Sequence, residues 1–173
     1  CANVQTAALT ILLDTPRVVR AVNASGAPGT QVAVPIELVS QGDENALGMS
    51  LTFDATVLSN PQAALGSDAT SGQINSNAGQ AAQGRFGLVV SLGTGQRFSA
   101  GTRQVAVVTF TIAANAAAGT TAIGFGNQPI PREISDTEAN ILPANYTAGT
   151  LTIVPGYEAD VAPRPNGTGD GNV

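Results

Sequence analysis

Leu47, Met49, Leu51 and Phe53 are apolar at every second position, and Gly48, Ser50 and Thr52 stand between them. A period of two sends the four large side chains to one face of a strand and the small ones to the other. The alternation stops at Asp54, where a turn is expected, and Val57 and Leu58 supply two further apolar anchors. The same period recurs in residues 31–39, where Val32, Val34, Ile36 and Leu38 alternate with smaller or polar residues. Pro35 interrupts that run. Because proline cannot donate to a ladder, it predicts an edge strand or a bulged one. In residues 85–92, Phe86, Leu88 and Val90 share a face. Residues 102–113 form the longest run. Val105, Val107, Thr109 and Thr111 hold one parity, and Ala106, Val108, Phe110 and Ile112 hold the other. A strand apolar on both sides belongs near the middle of a packed sheet. Shorter β-prone runs occupy 17–22, 120–125 and 150–154.

Between these runs the chain turns. Residues 26–30 and 128–131 carry Pro and Gly turn formers, and residues 41–45 form a polar loop. Residues 59–83 are rich in Ala, Gly, Ser, Asn and Gln, with only Leu65 and Ile74 standing out; one short strand is expected near 73–75. Residues 132–146 hold an acidic cluster and are expected to cross between sheets. Gly29-Thr30, Gly101-Thr102, Gly119-Thr120 and Gly149-Thr150 each precede a strand. Gly suits the tight turn and β-branched Thr the strand start. Their irregular spacing makes them punctuation, not a repeat. No stretch sustains a helical period. Eight to ten strands between Gly and Pro turns predict an all-β sandwich. The expected division is an extension over 1–16, a sandwich over 17–156 and a Pro/Gly-rich tail over 157–173.

Composition narrows the function. The 173 residues suit one domain. Only 11% are charged, against roughly 25% in ordinary soluble domains. There is no Lys, His or Trp, and the seven basic residues, all Arg, face twelve acids. A pI near 4.4 with no basic cluster excludes nucleic-acid binding. The absence of Lys removes a common protection of exposed sheet edges. Either the edges are covered, or edge pairing is tolerated or used. The single cysteine, Cys1, excludes an intrachain disulfide. An intermolecular bridge and a lipid-modified terminus, of the kind lipoprotein processing leaves, are the alternatives for it, beside no role at all. No run approaches the roughly 20 apolar residues of a membrane span, and no signal peptide is visible.

The pieces APGTQVAVPIEL, LGMSLTFDATVLSN, GTRQVAVVTFTIAANAAAGTTAIGF and AGTLTIVPG follow one another in an order that resembles the cohesin-like domains of bacterial extracellular proteins. Together they cover roughly 22–156, and Phe53-Asp54 with Val57-Leu58 carry the most telling match. The resemblance implies a nine-stranded jelly-roll sandwich, related to carbohydrate-binding modules, that binds protein partners called dockerins. It also implies an extracellular or bacterial cell-surface location. Residues 1–13 depart from the family pattern. The tail YEADVAPRPNGTGDGNV resembles the start of a dockerin-type calcium repeat, with Asp160, Asn166, Thr168 and Asp170 as oxygen ligands. The VAPRP insertion and the missing acidic twelfth position leave that calcium loop incomplete.

Little of the chain can do chemistry. Without His or a second Cys, neither a His-based triad nor a common transition-metal site can be built. Glu133, Asp136 and Glu138 form one carboxylate cluster, and Asp43 and Glu44 another; both read as solvated loops rather than catalytic pairs. No cofactor is expected. Asn23, Asn145 and Asn166 head glycosylation sequons, about as many as the composition gives by chance. Tyr146 and Tyr157 are the candidates for sugar stacking, with packing at the sandwich end as the alternative.

Three non-enzymatic functions follow. The first is an interaction module, in its sharpest form a subunit that assembles with copies of itself, the segment around Leu9, Ile11 and Leu13 serving as a donor strand for a neighbour. The second is a carbohydrate-binding module recognising polysaccharide. The third is a cohesin recognising a dockerin.

Overall fold

The computed structural model describes residues 16–155. Twelve strands run through them: β1 (Val18–Ala21), β2 (Ala24–Gly26), β3 (Gln31–Ser40), β4 (Glu44–Thr52), β5 (Leu58–Leu65), β6 (Gln73–Asn77), β7 (Arg85–Ser91), β8 (Gly101–Ile112), β9 (Gly119–Gly126), β10 (Glu133–Asp136), β11 (Asn145–Thr147) and β12 (Gly149–Ile153). One 3-10 turn, Ala81–Gln83, precedes β7. The strands form two sheets. The first has the order β11-β1-β3-β8-β5; the second has β2-β12-β9-β4-β7-β6, with β10 also paired to β4. The fold is the all-β sandwich that the alternation predicts, in twelve strands rather than eight to ten, and the jelly roll that the family resemblance implies. Among the described residues, no helix is long and apolar enough to cross a membrane.

The inward faces are those of the two-residue period. Leu47, Met49 and Leu51 of β4 are fully buried, and so are Phe86, Leu88 and Val90 of β7. From the other sheet, Ile36 and Leu38 of β3 and Val108, Phe110 and Ile112 of β8 meet them. Phe53 and Phe110 pack edge to face, with ring centroids 5.0 Å apart. After Phe53 the chain turns as expected. The Asp54 carboxylate accepts hydrogen bonds from the Thr56 amide and hydroxyl, and the Asp54 carbonyl accepts from the Val57 and Leu58 amides.

Pro35 does not make β3 an edge strand. β3 lies between β1 and β8 and carries a register shift between Ile36 and Glu37, so the bulge, not the edge, is what occurs. The Pro35 carbonyl accepts from the Val22 amide, so the ring nitrogen faces the same side, where β1 has already ended at Ala21. A missing N–H costs little there. The bulge also explains the double parity of β8: Val105 is skipped in the pairing, so Val105 and its neighbour Ala106 are both buried.

The 59–83 excursion contains β6, as expected, and also β5, which the sequence does not announce. β5 is an edge strand of small residues, with Pro61 inside a bulge and Asn60 at a positive φ of 49°. Only Leu58 and Pro61 of β5 are buried, so no period of two is visible. Residues 132–146 do cross between sheets, from β10 on β4 to β11 beside β1. The two ends of the domain run together. β1 pairs in parallel with β11 and β2 with β12, as both stretches pass from the first sheet to the second. Gly149 sits at that crossing, where a Cβ would lie 2.5 Å from the Ala21 carbonyl oxygen.

Candidate docking face

Each sheet has an outward face, and the two differ. The outer face of the second sheet is strapped by residues 127–132, which include a cis Gln128–Pro129 peptide. The strap is fastened at Ser50, whose hydroxyl donates to the Ile130 carbonyl at 2.6 Å and accepts from the Ile130 amide at 2.8 Å. It lies on a bed of glycine: a Cβ on Gly87 would come within 2.8 Å of the Ile130 side chain and 2.9 Å of the Pro129 ring. The strap therefore lies over Gly48 and Ser50 of the opening alternation, and Ser50 is fully buried.

The outer face of the first sheet carries no such strap among the described residues. Register places its outward side chains in rows across β3, β8 and β5. Gln31, Thr111 and Ser59 form one row, and Ala33, Thr109 and Gln62 the next; Pro35, Val107 and Ala64 form a third. Glu37 and Gln104 follow beyond the bulge. The central side chains are short, and the low apolar centre at Ala33, Pro35, Val107 and Ala64 is ringed by hydroxyls and by the longer Gln31, Gln62, Glu37 and Gln104. The odd parity of the longest run hinted at this face, because Thr109 and Thr111 replace aliphatic residues there. The contribution of Gln62 and Ala64 had no signal, since β5 has no visible period.

One ion pair lies on this face. Arg20 Nε and Nη2 bond Glu37 Oε2 at 2.8 and 2.7 Å. Asp68 and Arg103 pair at 3.3 Å, but Arg103 stands opposite inward-facing Leu38 and also donates to the Ser99 and Ala100 carbonyls, so it serves the end of the sandwich.

The carboxylate clusters are structural. Glu44 is fully buried, against the expectation of a solvated loop. It accepts from Arg17 Nε at 2.8 Å, the Ser40 hydroxyl at 2.5 Å, and the Gln41 and Gly42 amides at 2.9 and 3.2 Å. Burial pushes its carboxyl up; the Gln41 amide, the Ser40 hydroxyl and further backbone amides more than reverse this, leaving it below the usual carboxylate range. Arg17 also bonds both Asp43 oxygens, at 2.7 and 2.6 Å. The sequence could not show this, because Arg17 lies 27 residues away. Asp136 accepts from the Glu138 and Asn140 amides and the Asn140 side chain, and so shapes its own loop. Among the described residues no group of His, Cys, Asp and Glu could hold a metal ion.

The other predicted site residues separate. Leu9, Ile11 and Leu13, the calcium candidates Asp160, Asn166, Thr168 and Asp170, and Cys1 and Tyr157 lie outside the described residues. Asn145 is exposed on β11, whereas the Asn23 side-chain oxygen accepts from the Thr150 amide at 2.8 Å. Tyr146 is half-buried. Its ring packs edge to face on Phe125 with centroids 5.4 Å apart, and the Arg132 guanidinium stands 5.2 Å over it. Burial pushes its hydroxyl pKa up. Arg132 thus occupies ring surface that a sugar would need for stacking.

No curated protein sequence matches the chain. Solved cohesin structures do match its fold. A non-cellulosomal cohesin from the hyperthermophilic archaeon Archaeoglobus fulgidus is similar at TM-score 0.67 and 16% identity, over 84% of this chain and 96% of that one. The Coh-OlpC-Doc435 complex of Clostridium thermocellum, a type I cohesin–dockerin complex, contains a chain similar at TM-score 0.66 and 16% identity, over 89% and 99%. CaCohA2 from Clostridium acetobutylicum is similar at TM-score 0.60 and 20% identity, over 80% and 91%. A model of the cohesin domain matches residues 18–153, nearly the whole of the two-sheet sandwich, and the chain therefore belongs to the cohesin family.

Proposed function

We propose that this chain is a non-enzymatic protein-docking module that receives a dockerin-type partner on the outer face of its first sheet. The observation that carries the reading is the contrast between the two outer faces. One is covered over β4 and β7 by the Ser50–Ile130 strap, and the other carries no such cover among the described residues and is nearly free of charge. Membership of the cohesin family supports a protein partner, and it supports an extracellular or cell-surface setting.

Two observations weigh against the other readings. Of the four sheet edges, β2 and β11 are three residues long and β5 is interrupted by Pro61 and a bulge, which disfavours strand addition at those three; β6, of five residues, is the fourth. The most suitable aromatic, Tyr146, is packed between Phe125 and Arg132, which disfavours a sugar platform. A donor role for Leu9, Ile11 and Leu13, and a calcium role for the tail, stay proposals about residues outside the described ones.

The test is a pull-down against a panel of calcium-loaded dockerin modules, with Ala33→Arg and Thr109→Arg as face variants. Both positions lie outward in the same row, so each variant is expected to keep its thermal midpoint and to lose the captured partner. Face variants that capture as the parent does would place docking elsewhere.

A further inference from the structure

The second sheet ends on β6, and this edge is unlike the other three. We infer that β6 pairs antiparallel with β6 of a second copy of the chain, in a register centred on Asn75. The inference is independent of the docking face, which lies on the other sheet.

Protection comes first. β2 and β11 are too short to template a strand, and Pro61 with its bulge interrupts β5. β6 runs five residues in unbroken register with β7 and contains no proline. Residues 69–84 carry no charge, so nothing along this edge repels an incoming strand.

Backbone direction comes second. The Phe53 amide donates to the Gly84 carbonyl, and the Leu92 amide donates to the Asn45 carbonyl. Antiparallel bonding alternates, so Phe86, Leu88 and Val90 of β7 bond β4, while Gly87, Val89 and Ser91 bond β6. Asn77, Asn75 and Gln73 therefore turn their amides and carbonyls toward β7. Those of Ile74 and Ser76 point off the edge, and no described residue bonds them.

A second β6 meets these groups in one register. With Asn75 opposite Asn75 of the copy, Ile74 stands opposite the copy's Ser76, and each such pair exchanges both of its backbone bonds. Every outward amide and carbonyl of Ile74 and Ser76 is then used. On the outward side the same register sets Asn75 against itself and Gln73 against Asn77 of the copy. Carboxamides both donate and accept, so each finds a match. Asn77 Oδ1 already accepts from the Gly79 amide at 2.9 Å, which leaves its NH2 to donate across the junction. A strand of another sequence could bond the backbone but would not bring carboxamides to these positions. So short an edge buries less than the roughly 1,200 Å2 of a stable complex, and the pairing is weak, with a Kd of about 0.1–1 mM.

The experiment uses the full chain carrying Cys1→Ser, with Asn75→Cys added in one variant and Gln73→Cys in another. At the centre of the register the Cα atoms lie about 4.5 Å apart, within disulfide reach. Two copies of position 73 are offset by about 13 Å along the strands, out of reach. Under air oxidation at about 0.5 mM protein, Asn75→Cys is expected to yield at least about tenfold more disulfide-linked dimer than Gln73→Cys. Adding Ser76→Pro to Asn75→Cys removes an outward amide while sparing the β7 ladder, and is expected to cut that yield at least about tenfold. Sedimentation of the parent chain is expected to show a reversible dimer near about 1 mM that Asn75→Lys abolishes. A parent chain that stays monomeric at that concentration, whether its own ends cover β6 or nothing does, overturns the inference. Equal cross-linking at positions 73 and 75, or a dimer that survives Ser76→Pro, does the same.

Discussion

The Arg17–Glu44 pair fastens the first strand of the sandwich to the β3–β4 turn, and replacing Arg17 with Met tests what it contributes. Arg17 is 8% exposed and Glu44 not at all. In Arg17→Met the Glu44 carboxylate stays buried without its cation. Removing one partner of a buried pair costs about 3–5 kcal/mol, because the remaining charge is left uncompensated. Glu44 keeps the Ser40 hydroxyl and the Gln41 and Gly42 amides, so the lower end, about 3 kcal/mol, is expected. At roughly 3 °C per kcal/mol for a domain of this size, the thermal midpoint falls by about 9 °C. The pH dependence is a second signature. The folded protein holds the Glu44 carboxyl below its usual range, so its contribution is fully present above the unfolded carboxylate pKa and is lost as pH falls through the lower folded value. Arg17→Met keeps those donors but lacks the guanidinium, so protonation of Glu44 relieves the variant's uncompensated buried charge, and the gap between parent and variant narrows on acidification. Urea denaturation of both proteins at about pH 7 and about pH 3 reads the two quantities. A deficit below about 1 kcal/mol at neutral pH, the size of an exposed pair, would refute the reasoning. So would a deficit that stays the same at both pH values.

Two further perturbations probe the core and the strap. Phe110→Ala removes a fully buried ring packed on Phe53 and is expected to cost about 3–5 kcal/mol by guanidinium denaturation; a cost under about 2 would mean that the site collapses around the gap. Gly87→Ala drives a Cβ against Ile130 and the stiff Pro129 ring, at a cost of about 1–3 kcal/mol. The part of that cost due to Ile130 should disappear when the same change is made beside Ile130→Ala, the Pro129 part remaining, and a double-mutant cycle showing simple additivity would mean that Ile130 does not press on Gly87.

Much of this protein was legible in one dimension, because burial in a sandwich imposes a period of two on each strand. Leu47, Met49 and Leu51 and Phe86, Leu88 and Val90 announced their strands and their inward faces. Phe53-Asp54 announced the turn. The absence of His, and of any Cys beyond Cys1, closed off most chemistry before any fold was known. The tertiary structure alone decided the rest, for one physical reason: these features depend on what lies across the sheet or over it, not on what lies beside them in the chain. Glu44 is buried only because Arg17 reaches it from 27 residues away. β5 is a strand only because β8 offers it a ladder. Gly48, Ser50 and Gly87 are covered only because the strap at Ile130 crosses them.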